Sequence, residues 1–365
     1  MAASSKSDVE LGFAEKTHGW RLNSKYFPCK FGGKPSWLHL KNLPLPESLQ
    51  CSCCKNPYTF LLQIYAPINE LKTCFHRTVF VFCCRSAECY KPNSNLPFAA
   101  FRSQLPRKND YYSYHPPTES EDSKPVNPVD FEQRMCEVCG CLGPKRCGKC
   151  HETNYCSRNH QMIDWKEGHK FSCGKDEGRT PEYKNVLFPE YEVVIETEEL
   201  NTAEETDKSE EDKMRDYSEF MKSEQGKSML RNEDMTQEDL EKMALHEEDV
   251  QFKKFRERIN HEPEQILRYD RGGEPLWISS KHIPKSNDIP LCQCGAPRIF
   301  EFQILPQLLN YLHVDSLGAS IDWGTLAIYT CSKNCDTGPV YHPEFVWKQE
   351  CGDTPKIKTE DTVSQ

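Results

Sequence analysis

The chain has 365 residues, 37% of them apolar, a formal net charge of −10 and 20 cysteines. The length predicts two or three domains, and no apolar run reaches the roughly 18–20 residues of a membrane-spanning helix, so no membrane partner is expected. The N-terminus lacks the basic-then-apolar pattern of a secretory signal, which predicts a reducing compartment, where cysteines read as metal ligands before disulfides.

Residues 10–105 read as a β-rich unit. Gly32 and Gly33 allow a tight turn, Pro35 fixes its exit, and Trp37 follows as a packing residue. Tyr58–Ala66, Val79–Cys83 and Phe98–Arg102 are aromatic and aliphatic runs with weak alternation, which predicts strands buried on both faces. Cys51 and Cys54 precede one strand, and Cys84 and Cys89 follow the next. Such a set can close a tetrahedral metal clip. The alternative reading is buried reduced thiols, and Cys53 and Cys83 are substitutes for their neighbours. Residues 106–134 read as a linker, carrying Pro116, Pro117, Pro125 and Pro128 among polar residues.

The densest metal signal lies in residues 135–174. It runs Cys136-x2-Cys139, Cys147-x2-Cys150, Cys156-x3-His160 and His169-x3-Cys173. Eight thiolate and imidazole donors make two four-ligand sites, for which Zn2+ is the natural ion. Cys156 and His160 lie four apart and share a helical face. So short a segment has too little apolar content to fold on a core, so metal supplies its folding free energy. Spacing alone allows sequential or interleaved pairing. Cys141 is a surplus thiol.

Tyr155-Cys156-Ser157, His160-Gln161, Asp164-Trp165 and Gly168-His169 complete a pattern that resembles the MYND zinc finger. The resemblance implies interleaving, with Cys136, Cys139, Cys156 and His160 on one ion and Cys147, Cys150, His169 and Cys173 on the other. It also implies a protein-interaction module for proline-containing peptides, with Gln161 and Trp165 lining the groove. A third groove position, a serine in that family, is Gly148 here. The competing reading makes Trp165 a core residue of the small module.

Residues 182–196 read as a strand returning to the β unit. The stretch 197–249 reads as an acidic disordered linker: between residues 190 and 250 there are 22 acidic and 7 basic side chains, so the remainder of the chain is slightly basic. Few large apolar residues there can offset chain entropy. Phe252, Phe255 and Ile259 fall on one helical face, which predicts a docking helix.

Residues 250–350 then repeat the first unit. Gly272, Gly273, Pro275 and Trp277 match Gly32, Gly33, Pro35 and Trp37 at an offset of 240, as do Cys294, Phe300 and Gln303 with Cys54, Phe60 and Gln63. Arg298–Leu305 and Leu326–Tyr329 read as strands. Cys292, Cys294, Cys331 and Cys335 form a second candidate clip. The expected fold is therefore mainly β with small α content: one pseudo-symmetric duplicated β domain, with the zinc finger and the acidic linker inserted between its halves. Both tryptophans are expected in its core. The expected cofactor is zinc, two ions in the finger and one or two more in the β domain.

Duplicated G-G-x-P-x-W halves around a MYND finger, with Gln293–Gln303 and Trp323-Gly324-Thr325-Leu326, resemble the programmed cell death protein 2 family. That resemblance implies a dedicated chaperone or adaptor for a newly made basic small-subunit ribosomal protein, of the S-two type in eukaryotes, acting in small-subunit assembly in cytoplasm and nucleus. The alternative is a nuclear zinc-finger regulator of transcription, apoptosis or proliferation acting through protein binding. Direct DNA reading is not expected, because the two-cysteine, two-histidine finger spacing is absent and the finger's basic residues are offset by acids. Enzymatic activity is not expected either. No nucleophile–base constellation stands out, and closed zinc sites leave no catalytic position.

Overall fold

The computed structural model describes residues 9–175, 181–199, 250–314 and 320–350. Ten strands close into one barrel, in the order β1-β8-β2-β3-β4-β5-β12-β11-β10-β9. These are β1 (Glu10–Glu15), β2 (Lys30–Phe31), β3 (Thr59–Tyr65), β4 (His76–Cys83), β5 (Phe98–Leu105), β8 (Tyr191–Thr197), β9 (Leu267–Tyr269), β10 (Arg298–Ile304), β11 (Thr325–Cys331) and β12 (His342–Gln349). Closure leaves no free sheet edge. The short pair β6 (Lys145–Arg146) and β7 (Asn154–Tyr155) belongs to the finger. None of the described helices is long and apolar enough to cross a membrane.

The barrel is built from two five-strand halves that exchange their first strands. β1 precedes β2 in the chain but pairs with β9 of the other half, and β8 precedes β9 but pairs with β2. The two first strands pair with each other, as do the two last, β5 and β12. The duplication extends to detail. β3·β4 carries a register shift between Phe60 and Leu62, and β10·β11 carries one between the matching Phe300 and Phe302. Gln63 accepts from the Ser36 amide at 2.9 Å, and Gln303 accepts from the Leu276 amide at 2.5 Å, so each glutamine holds the residue before its repeat's tryptophan. Gly32 shows why the turn needs glycine. Its φ is +69°, and a β-carbon there would fall 1.8 Å from the Pro189 carbonyl.

Alternation along the strands separates two apolar layers. Val79, Val81 and Cys83 of β4 face the barrel interior with Leu326 and Ile328 of β11. Phe80 and Phe82 face outward into a second layer that includes Trp37, Leu38, Val138 and Tyr155. This second layer glues the finger to the N-terminal half. Among the described residues the C-terminal half has smaller separate clusters instead, one of Phe300, Ala327, Tyr329 and Trp347 and one of Phe255, Ile259, Ile278 and Leu305. β3, β4 and β11 are accordingly buried on both faces, as their near-continuous apolar runs predict.

Some expectations change. Trp37 is fully buried, but Trp277 is only partly buried, because no finger covers its half of the barrel. Residues 250–260 are helical, and Phe255 and Ile259 pack on Ile278 and Leu305. Phe252, assigned to the same face, is exposed. β1, β2, β9 and β12 are not visible as apolar runs, since they are short or carry interior charge. Much of the segment read as a linker lies against the barrel: Tyr112 donates to the Leu38 carbonyl at 2.7 Å and Lys25 to the Lys124 carbonyl at 2.7 Å. Most of the acidic stretch, residues 200–249, lies outside the described residues.

Candidate metal centres

The described residues form four tetrads of Cys and His donors, each with all ligand atoms within 4.8 Å of one another. They are Cys136, Cys139, Cys156 and His160; Cys147, Cys150, His169 and Cys173; Cys51, Cys54, Cys84 and Cys89; and Cys292, Cys294, Cys331 and Cys335. Tetrahedral zinc with Zn–S bonds of about 2.3 Å requires S···S edges of about 3.8 Å. The observed edges are 3.7 Å for Cys139–Cys156, 3.8 Å for Cys147–Cys173, 3.6 Å for Cys54–Cys84, 3.5 Å for Cys292–Cys335 and 3.7 Å for Cys294–Cys331. A disulfide would bring two sulfurs to about 2.05 Å. The donor sets therefore fit zinc, and the sulfurs stand at metal-sharing distance.

In the finger the pairs interleave. Local structure aims each donor. Ser157 caps the helix Arg158–Asp164 by accepting from the His160 amide at 3.1 Å. This places His160 Nδ1 3.1 Å from Cys156 and 3.6 Å from Cys136. Gly168, at φ 128°, breaks the following helical turn. The break turns His169 so that Nε2 lies 3.4 Å from Cys147 and 3.6 Å from Cys150.

Asp164 supports the second tetrad from outside. Its carboxylate is buried, accepts from Tyr155 and Tyr183 hydroxyls at 2.6 Å each, and lies 3.9 Å from His169 Nδ1. Burial and the adjacent carboxylate raise the Tyr155 pKa, which keeps its phenol a donor. At 3.9 Å the carboxylate faces the ring of the candidate ligand His169 through its charge rather than a hydrogen bond. The sequence marks Asp164 only as part of a motif; its position one helical turn after His160 is the signal that could have given its role.

The remaining predicted residues separate. Cys141 lies 3.8 Å from the Cys139 carbonyl and outside both finger tetrads. Cys53 is exposed, and Cys83 points into the barrel, where burial raises its thiol to about 12. Gln161 is half-buried, and Trp165, four residues on, is 37% exposed with its ring edge-on to His169 at 5.8 Å. Trp165 thus stands at the surface beside exposed Met162 and Phe171, and Tyr155 is the finger's buried aromatic.

The finger is fastened to the barrel at the first G-G-x-P-x-W loop. Trp37 Nε1 donates to the Gly140 carbonyl at 2.7 Å, and Lys34 donates to the Glu137 carbonyl at 2.6 Å. On the far side, Thr59 donates to the Val186 carbonyl at 3.1 Å.

Family comparison agrees with this layout. Residues 8–119 match the N-terminal domain of programmed cell death protein 2, residues 249–350 its C-terminal putative domain, and residues 136–173 the MYND finger. The chain is 47% identical to programmed cell death protein 2 of Bos taurus over 362 residues, covering 97% of this chain and 99% of that one. It is 26% identical to programmed cell death protein 2-like of Homo sapiens, over 84% of this chain and 85% of that one. A probable 20S rRNA accumulation protein 4 of Schizosaccharomyces pombe is 37% identical over 97 residues, 23% of each chain. No solved structure matches. The duplicated halves, the finger between them and near-complete coverage of these relatives establish that the chain belongs to the programmed cell death protein 2 family.

Proposed function

We propose that this protein is a chaperone or adaptor for a newly made, basic small-subunit ribosomal protein of the S-two type, and that it supports small-subunit assembly in cytoplasm and nucleus. The observation that carries this reading is the relative whose name concerns 20S rRNA accumulation, which shares a 97-residue segment with this chain. The architecture supports it. A rigid closed barrel offers a platform, and a stretch with a net charge of −15 between residues 190 and 250 can attract and screen a basic client. No enzymatic activity is proposed, since four-donor tetrads leave no open position on a bound ion.

Zinc fills the two finger tetrads in this reading and supplies the folding free energy of residues 136–173. Two further ions belong in the barrel tetrads. A second reading, a regulator acting through protein contacts, is favoured by one observation: Met162, Trp165 and Phe171 give the finger an exposed apolar surface fit for a proline-containing peptide. Affinity purification with quantitative mass spectrometry, with and without translating ribosomes, separates the two. One ribosomal protein recovered near one-to-one supports the chaperone. Recovery of proline-rich partners that vanish in W165A, without a ribosomal protein, supports the regulator.

A further inference from the structure

The two barrel tetrads lie in matching places. Each joins the loop before the half's third strand to the end of its fourth and the loop beyond, the N-terminal one through Cys84 and Cys89 and the C-terminal one through Cys331 and Cys335. Neither loop packs only on its own half. The C-terminal loop is held by β5 of the N-terminal half. Arg102 donates to the Cys335 carbonyl at 3.0 Å and approaches its sulfur at 3.7 Å, and Gln104 donates to the Asn334 carbonyl at 3.0 Å. The N-terminal loop is held by β12 of the C-terminal half. Asn95 accepts from the Lys348 amide at 2.7 Å, and Asn93 accepts from the Glu350 amide at 3.3 Å. The gripping strands, β5 and β12, pair with each other at the seam between halves.

The C-terminal tetrad is tied in more deeply. Glu344, fully buried, accepts from Arg102 at 2.8 Å, from Arg298 at 2.9 Å and from the Cys331 amide at 3.2 Å. Arg298 also donates to the carbonyls of Pro290 and Leu291, next to Cys292. Arg102 thus reaches one arm of the tetrad directly and the other through Glu344 and Arg298. A zinc ion on four thiolates carries net negative charge, and a buried guanidinium beside a sulfur offsets it.

We infer that the C-terminal barrel tetrad is a metal clamp across the seam, with part of its outer shell supplied by the opposite half of the chain through Arg102. The inference rests on zinc filling this tetrad. Zinc binding at Cys292, Cys294, Cys331 and Cys335 and closure of β5 on β12 then stabilise each other, because coupling between two equilibria is reciprocal. Arg102 is a positioning residue for the C-terminal ion, whereas Asn95 bonds β12 without touching a ligand of the N-terminal tetrad. Loss of such outer partners weakens metal sites by about 10–100-fold.

The test uses the full chain loaded with zinc. Native mass spectrometry counts the ions, and release into a chromogenic chelator gives their off-rates. Alkylation of Cys294 or Cys54 under chelator, read by peptide mass spectrometry, shows which tetrad has opened. R102K keeps the charge beside Glu344 but loses the guanidinium fork. It is expected to speed release of one ion about 10–100-fold, with faster alkylation of Cys294 and unchanged alkylation of Cys54. N95A, which cuts a seam bond that touches no ligand, is expected to leave release of both barrel ions unchanged. In C335S, amide hydrogen exchange is expected to rise at residues 102–105, on the other half. Four ions with unchanged release in folded R102K overturn the clamp and leave the zinc assignment standing. Two ions in the unaltered chain overturn the barrel zinc assignment and the clamp with it. If R102K does not fold, C335S decides: unchanged exchange at residues 102–105 overturns the clamp.

Discussion

Arg77 and Glu301 stand 224 positions apart and meet in a bidentate pair inside the barrel, at 2.6 and 2.8 Å, both fully buried. Tyr269 donates to the same carboxylate at 2.8 Å, Thr330 donates to its other oxygen, and Arg271 lies 3.3 Å away. The pair joins β4 of one half to β10 of the other. It makes formation of the interior depend on both repeats being present.

Removing one partner leaves an uncompensated charge in the core. R77M is expected to destabilise the protein by about 3–5 kcal/mol. The double variant R77M/E301L is expected to recover much of that loss, since apolar replacement of a buried pair is often close to neutral. Urea unfolding followed by tryptophan fluorescence measures both. Equal stability of R77M and the parent would show that the pair is not closed in solution.

Acid should act in two windows. Burial, then the charge of Arg107, lowers His76 from its ordinary 6.5 to about 4. The unfolded chain therefore takes up a proton that the folded one refuses, and stability falls as pH drops from 6.5 towards 4. H76F, which keeps the stacking on Phe27, should flatten this window. Glu301 acts lower. Burial raises its carboxyl, but Arg77 outweighs burial and brings it to about 2. Its contribution is present above the unfolded value of 4.5 and is lost as pH falls towards 2. E301Q should remove the lower window and leave the upper one. Thermal melts between pH 3 and 8 check both slopes.

Asp164 stands behind the candidate ligand His169 without belonging to a donor tetrad. D164N is expected to weaken the tetrad of Cys147, Cys150, His169 and Cys173 by about 10–100-fold and leave its neighbour unchanged. Competition with a chelator of known affinity reads this as one early-released ion. Unchanged competition would show that Tyr155, Tyr183 and Asp164 form a packing network alone.

Trp37 ties the finger to the barrel. W37F removes its bond to the part-buried Gly140 carbonyl, at a cost of about 1 kcal/mol. Limited proteolysis should then cut more readily between residues 106 and 134. Zinc removal should go further and open residues 136–173 to protease, while the interior layer of Val79, Val81, Leu326 and Ile328 keeps the barrel protected longer.

The repeat, the ligand spacings and the strands buried on both faces were legible because each is written in short segments. Cys136-x2-Cys139 and the G-G-x-P-x-W turns depend on neighbours a few residues away. The short or charged barrel strands were not legible. β12 carries His342, Glu344 and Lys348 towards the interior, where the distant Arg102 offsets the charge of Glu344 and the neighbouring Glu350 that of Lys348. No local pattern can announce a strand whose burial is made tolerable by a residue more than two hundred positions away.

The sequence by itself determined four donor sets, a duplicated β domain and a finger set between its halves. The finger's interleaved donor sets, which spacing left open and the MYND resemblance implied, are those the structure brings together, whereas tertiary structure alone decided that the halves exchange first strands and that the finger covers only one half. It also decided that Trp37 is buried while the matching Trp277 stays partly open. The physical reason is the same in each case. Donor type and turn chemistry are properties of adjacent residues, whereas pairing, burial and charge compensation belong to atoms that closure of the barrel alone brings together.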